Sequence, residues 1–156
     1  MSSDMRLADH IRVEGIRTDL QPNDKATTLR ELAKLATHGD TALDADVIYR
    51  VFQERESLAT TGVGSGVAIP HGRLAVDDFR IVVAICPDGV PFDSVDGDPA
   101  HIFVGVLAPE GRPAGQLKML ARISRVLKDP EVRRRLLAAG SSEAALQILE
   151  EEDNRL

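Results

Sequence analysis

The sequence predicts an α/β fold, with a central mixed β-sheet flanked by helices on both faces and a single domain. Three observations carry this. Segments with helical periodicity alternate along the chain with short apolar runs of strand type. The 156 residues suffice for one domain with a substantial core, and neither a long linker nor an internal repeat divides them. A composition of 43% hydrophobic and 28% charged residues is that of a soluble globular protein.

Residues 1–10 read as a polar lead-in, 11–150 as the domain and 151–156 as an acidic tail. Ile11 to Ile16 alternates apolar and polar residues, the pattern of a first strand. From Asp24 to Thr37, Leu29, Leu32, Ala33 and Ala36 recur at helical spacing, with Gly39 as a stop. A second helix begins near Asp44. Its apolar stripe is Val47, Ile48, Val51 and Phe52, and Arg55 lies near its end. Arg80 to Cys86 reads as a buried strand, closed by a turn at Asp88-Gly89. His101 to Ala108 reads as another, entered through the turn-rich residues 93–99. Pro113 suits a first helical position, and Leu117 to Leu127 continues as helix. Pro130 opens a further helical run to about Ala138, with Gly140 as its stop. Ser142 with Glu143 opens the last helix, which runs into Glu150-Glu151-Glu152-Asp153.

Composition excludes several classes of function. Aromatics make up 3% of the chain, with no Trp, so stacking platforms for nucleic acid are poorly supplied. The net charge of −6 argues further against nucleic-acid partners. No apolar run approaches membrane-spanning length, so no membrane insertion is expected, and the N-terminus lacks the hydrophobic segment of a signal peptide. The single cysteine, Cys86, sits in an apolar run and reads as a buried small hydrophobe. A reducing cytoplasm is the expected setting.

The segment Gly62-Val63-Gly64-Ser65-Gly66-Val67-Ala68-Ile69-Pro70-His71-Gly72 is unlike the rest. Three glycines at alternate positions lead into a short apolar strand that stops at proline and delivers His71. Several familiar chemistries fail on spacing. Val67 occupies the place of the third glycine of a dinucleotide fingerprint, and the P-loop Gly-Lys-Ser/Thr is absent. No serine sits in a nucleophile elbow. His10, His38, His71 and His101 have no metal-ligand spacing, and Asp93, Asp96 and Asp98 lack the register of a calcium loop. No metal or cofactor is expected. A lone loop histidine is often structural, but a neutral imidazole, with an ordinary pKa of about 6.5, can also attack phosphorus without a separate base. Such chemistry needs charge stabilisation by backbone N–H groups and cations. Gly62, Gly64 and Gly66 are candidates for the first and Arg55 for the second.

The run from Arg55 to Gly72, ending in Ala-Ile-Pro-His-Gly, resembles the phosphorylation site of fructose/mannitol-type enzyme IIA domains. These belong to the bacterial phosphoenolpyruvate-dependent phosphotransferase system and include a nitrogen-related regulatory branch. Residues 89–97, 101–110, the helix from Gln116 and the basic stretch at Arg133-Arg134-Arg135 resemble the family's later segments, so the likeness spans about 11–150. The resemblance implies that His71 accepts a phosphoryl group, through Nε2, from an HPr-type phosphocarrier protein. It implies that Arg55 helps neutralise the phosphate and that Thr61 donates a hydrogen bond to it. Arg55 could equally complement a helix dipole, and Thr61 could equally satisfy turn backbone.

Where the family commonly has a second active-site histidine, this sequence has Gln116. Its amide can donate a hydrogen bond to His71 or its phosphate but cannot carry a charge. An N-terminal capping role is the alternative. The expected function is therefore a phosphoryl carrier and regulator. Two rivals stand: transport-linked transfer to an enzyme IIB, or a non-phosphorylated module that binds a transporter or sensor kinase. The absence of attached carrier or membrane domains favours regulation. Lys118, Arg122, Arg125 and Arg133–Arg135 form either a docking surface for an acidic partner or a solvated face, and the acidic tail either pairs with it or frays.

Overall fold

The computed structural model describes residues 6–156. Among these, six strands and five helices follow in the order β1 (Ile11–Arg17), α1 (Lys25–Ala36), α2 (Ala45–Leu58), β2 (Gly62–Gly64), β3 (Val67–Ala68), β4 (His71–Leu74), β5 (Arg80–Val90), β6 (Ala100–Pro109), α3 (Pro113–Val126), α4 (Pro130–Leu137) and α5 (Ser142–Asn154). The strand order is β1-β5-β6-β3-β2. β5 and β6 are antiparallel, whereas β1 is parallel to β5 and β3 to β6, so the sheet is mixed.

Both faces of the sheet are covered, which is why its central strands read as continuous apolar runs rather than alternating ones. On β5, Ile81, Val83 and Ile85 point into a core shared with α3, α4 and α5. The intervening Val82, Ala84 and Cys86 point into the core beneath α1 and α2. Side chains cap the helices: Asp24 accepts from Thr27 N–H at 2.8 Å and Asp44 from Asp46 N–H at 2.8 Å. The last helix is capped by Ser141, which accepts from Ala144 N–H, while Ser142 donates its hydroxyl to Ile16 O instead.

Three local readings change. β5 does not end at Asp88-Gly89 but continues to Val90, which pairs with Ala100 across a bulge. At Gly89, φ is +80°, and a Cβ there would lie 2.8 Å from the His101 ring. Of the lead-in, residues 1–5 lie outside the described residues, while Leu7–His10 forms one 3-10 turn that buries Leu7 in the core. The acidic end is helical to Asn154, because Asp153 is buried against Arg122 and accepts Ala8 N–H at 3.1 Å. No helix among the described residues is long and apolar enough to cross a membrane.

Candidate functional site

β3 and β4 lie end to end along one edge of β6. Pro70 interrupts them, and its carbonyl still accepts Val106 N–H at 2.9 Å. His71 is the first residue after this break, half-buried and in register with Val106. α2 packs directly on it. A Cβ at Gly72 would lie 2.2 Å from Val51 Cγ1, so this glycine is required by the close approach of the helix. One helical turn beyond Val51, Arg55 reaches His71.

Two contacts assign the imidazole tautomer independently. His71 Nδ1 lies 2.7 Å from Ile69 O, and a carbonyl only accepts, so Nδ1 carries the proton. Arg55 Nε donates to His71 Nε2 at 3.2 Å, so Nε2 is the bare nitrogen. Burial lowers the pKa of His71 from 6.5, the Ile69 bond and Glu56 act against this, and the Arg55 guanidinium adds to it. The imidazole is neutral at pH 7, with its lone pair at Nε2.

Beneath the loop lies a buried carboxylate that the sequence reading did not single out. Glu56 accepts both the N–H of Thr61, at 3.0 Å, and its hydroxyl. Lys25 Nζ pairs with Glu56 at 2.8 Å and with Asp93 at 3.1 Å, and sits over the Phe92 ring. Burial acts to lower the Lys25 pKa, but the two carboxylates outweigh it and hold it above the usual value. A signal was present in the sequence: Glu56 continues the i, i+4 stripe of Ile48 and Phe52, a core-facing position.

The remaining candidates fall in different places. Thr61 is buried and its hydroxyl proton is committed to Glu56, so it has none to offer a phosphate. Gly62 donates its N–H to Thr60 Oγ1 at 3.0 Å, and its missing Cβ lets Ser94 approach, since a Cβ would lie 2.4 Å from that hydroxyl. Ser65 and Gly66 form the turn of the β2–β3 hairpin, with φ of +57° and +78°, and Gly64, at φ +98°, ends β2 just before it. Gly66 O accepts from His101 N–H, whereas His71 pairs with Val106. Those five residues of strand are about 16 Å. The structure therefore does not bring Gly64 and Gly66 to His71. Gln116 lies half-buried in the first turn of α3. This helix starts beyond the end of β6 and runs back along the sheet, so Ser124 and Leu127 line one pocket with Val67 and Ile69 near the hairpin. Gln116 is thus at the His71 end, but among the described residues its amide makes no hydrogen bond with His71 or Arg55.

Of the six basic residues named from the sequence, four have partners among the described residues. Arg122 pairs with Asp153, Arg134 with Glu131 and Arg135 with Glu151, and Arg133 donates to the carbonyls of Leu127 and Lys128. A cavity of about 450 Å³ lies around Arg12, His38, Asp78 and Arg80, away from His71. No group of His, Cys, Asp or Glu among the described residues could hold a metal ion.

Fold and site together define an α/β domain organised around one neutral histidine at a strand break, flanked by an arginine. The chain belongs to the family of the phosphoenolpyruvate-dependent sugar phosphotransferase system EIIA 2 domains, whose model matches residues 9–152. It is therefore an EIIA-type component of such a system. It is 37% identical over 146 residues to a nitrogen regulatory protein of Bradyrhizobium diazoefficiens, covering 93% of this chain and 95% of that protein. It is 30% identical over 150 residues to the fructose-specific EIIABC component of Bacillus subtilis, covering 96% of this chain and 24% of that protein. Among solved structures, nitrogen regulatory protein IIA-Ntr from Neisseria meningitidis superposes with a TM-score of 0.85 at 27% identity, covering 92% of this chain and 98% of that one.

Proposed function

We propose that this protein is a cytoplasmic phosphoryl carrier and regulator that accepts phosphate on His71 Nε2 from an HPr-type protein. The observation that carries this reading is the tautomer: Nδ1–H is held by Ile69 O, leaving the lone pair at Nε2 beside Arg55.

In the step, the Nε2 lone pair attacks the phosphorus of the carrier's phosphohistidine. The N–P bond to the carrier breaks, and its imidazole leaves with the electron pair. His71 keeps its Nδ1 proton, and Ile69 O stabilises the positive charge that the phosphorylated ring acquires. Arg55 must turn its Nε–H from Nε2 to the incoming phosphoryl oxygens, while its other arm stays on Ala59 O at 2.8 Å. Neither Thr61 nor the hairpin glycines take part in this account. Gln116, in the N-terminal turn of α3, would supply a neutral hydrogen bond to the phosphate in place of a charge.

The regulatory role draws support from the likeness to a nitrogen regulatory protein over nearly its whole length. A second reading, transfer to an enzyme IIB in sugar uptake, is favoured by the 30% identity to a fructose-specific EIIABC component. Incubation with labelled phosphoenolpyruvate, enzyme I and HPr-type carriers tests the proposal. Acid-labile, base-stable label on the wild type and none on His71→Ala supports it. No label with any of several carriers refutes it and leaves the non-phosphorylated interaction module. Onward transfer to an enzyme IIB separates transport from regulation.

A further inference from the structure

We propose that Glu56 is the positioning residue of this site: its buried carboxylate anchors the 59–61 turn from which both hydrogen bonds to His71 are suspended. The proposal rests on the reading of His71 as phosphoryl acceptor.

The two groups that touch the imidazole are not held independently. Ile69, whose carbonyl takes Nδ1–H, donates its own N–H to Thr61 O at 2.9 Å. Arg55, whose Nε–H meets Nε2, is anchored through its other arm on Ala59 O at 2.8 Å. Both anchors therefore lie on residues 59–61, the short irregular connection between α2 and β2. This connection lies outside the strand pairing. Thr60 ties it to Phe92 O at 3.0 Å, and Thr61, the residue that meets Ile69, is tied by Glu56. Movement at Thr61 would loosen the contacts of Ile69 and Arg55 with His71 together.

Glu56 removes that freedom. Its side chain is 5% exposed, and its two oxygens accept the N–H and the hydroxyl of the same residue, Thr61. A carboxylate is suited to this because it only accepts and has two oxygens, whereas an amide offers a single oxygen. Burying the charge is costly, and Lys25 at 2.8 Å offsets it. A buried ion pair is weak grounds for stability, since an apolar pair can fill the same space. Glu56 accomplishes what apolar residues cannot: it fixes a peptide N–H and a hydroxyl at one point. Glu56 does not touch the reacting atoms and acts through Thr61, Ile69 and Arg55.

The test uses the full chain, isotopically labelled, in three variants: Glu56→Gln, Thr61→Val and Thr61→Ser. Each is studied well below its own melting temperature. The ¹⁵N shifts of the His71 imidazole report the tautomer without any phosphoryl donor. The rate of labelling from phosphoenolpyruvate, enzyme I and HPr reports positioning. In Glu56→Gln the shifts move from the Nδ1–H form towards a mixture, and labelling slows about tenfold. Thr61→Ser keeps both donors and stays within about twofold of wild type on both readouts. Thr61→Val loses the hydroxyl alone and falls between. A folded Glu56→Gln protein with the wild-type tautomer and rate overturns the proposal, because a merely structural residue would lower the melting temperature alone. If Glu56→Gln does not fold, Thr61→Val decides: the same wild-type values in it overturn the proposal. If wild-type protein takes no label, the acceptor reading fails, while the ¹⁵N comparison still decides the role of Glu56.

Discussion

Replacing Gly72 with alanine tests how the fold brings Arg55 to His71. The new Cβ would lie 2.2 Å from Val51 Cγ1, about 1.2 Å closer than ordinary van der Waals contact. Valine in a helix has one strongly preferred rotamer, so the methyl cannot swing aside at low cost. α2 must instead shift off β4 by a large part of that distance. Arg55 Nε is already 3.2 Å from His71 Nε2, so a shift of this size carries it beyond hydrogen-bonding range. Overpacking of this kind costs about 1–3 kcal/mol. Gly72→Ala is therefore expected to melt lower and to label more slowly than wild type. Val51→Ala alone is expected to cost about 1 kcal/mol, and in the double variant it removes the clashing methyl. A double-mutant cycle, measured by denaturant unfolding and by labelling rate, should show a favourable coupling of at least about 1 kcal/mol. Additive effects of the two substitutions would refute the argument that Gly72 sets the position of α2.

The pH dependence and the far side of the sheet give two more tests. Because burial and Arg55 lower the His71 pKa below 6.5, labelling should be flat above that pH and fall only as pH drops through the lowered value. The unfolded chain takes up the proton first, so the same shift adds stability above 6.5 that is lost as pH falls through the folded value. Arg55→Gln should move the acid limb of the pH–rate profile upwards, with the same donor as reference; an unchanged limb would contradict this. Arg122→Ala leaves Asp153, whose side chain is fully buried, with Ala8 N–H as the remaining partner of its carboxylate among the described residues. It should cost about 3 kcal/mol, or roughly 6–12 °C in calorimetric Tm. Labelling at His71 should persist, because Asp153 ties α5 to the turn before β1, at the opposite edge of the sheet from β4.

Much of the architecture was legible in the sequence because its signals are local. The buried strands announced themselves as apolar runs, and the helices by their periodicity and by caps such as Asp24 and Asp44. The end of α2 and the Pro70 break were legible too, which is why Arg55 and His71 stood out together. What was not legible depended on register. The glycines looked like a phosphate cradle, but pairing β3 to β6 places Gly64 and Gly66 beside Asp96 and His101, while Gly62 and Gly72 serve close packing. Thr61 was expected to serve either a phosphate or the turn backbone, and its hydroxyl goes instead to a carboxylate, Glu56, that only the folded turn brings beneath it. The acidic tail was expected either to pair with the basic set that includes Arg122 or to fray, and only the fold, which joins Asp153 to Arg122 across 31 positions, decides for the pair.

The central claim is that the fold presents His71 as a neutral Nδ1–H imidazole whose Nε2 takes the phosphoryl group. ¹⁵N and ³¹P NMR of the protein before and after treatment with phosphoenolpyruvate, enzyme I and an HPr-type carrier tests it directly. The account predicts an Nδ1–H tautomer in the free protein and one new phosphoramidate signal on His71 Nε2, with the Nδ1 proton retained. An Nε2–H tautomer, or phosphate on Nδ1 or on another residue, would contradict it.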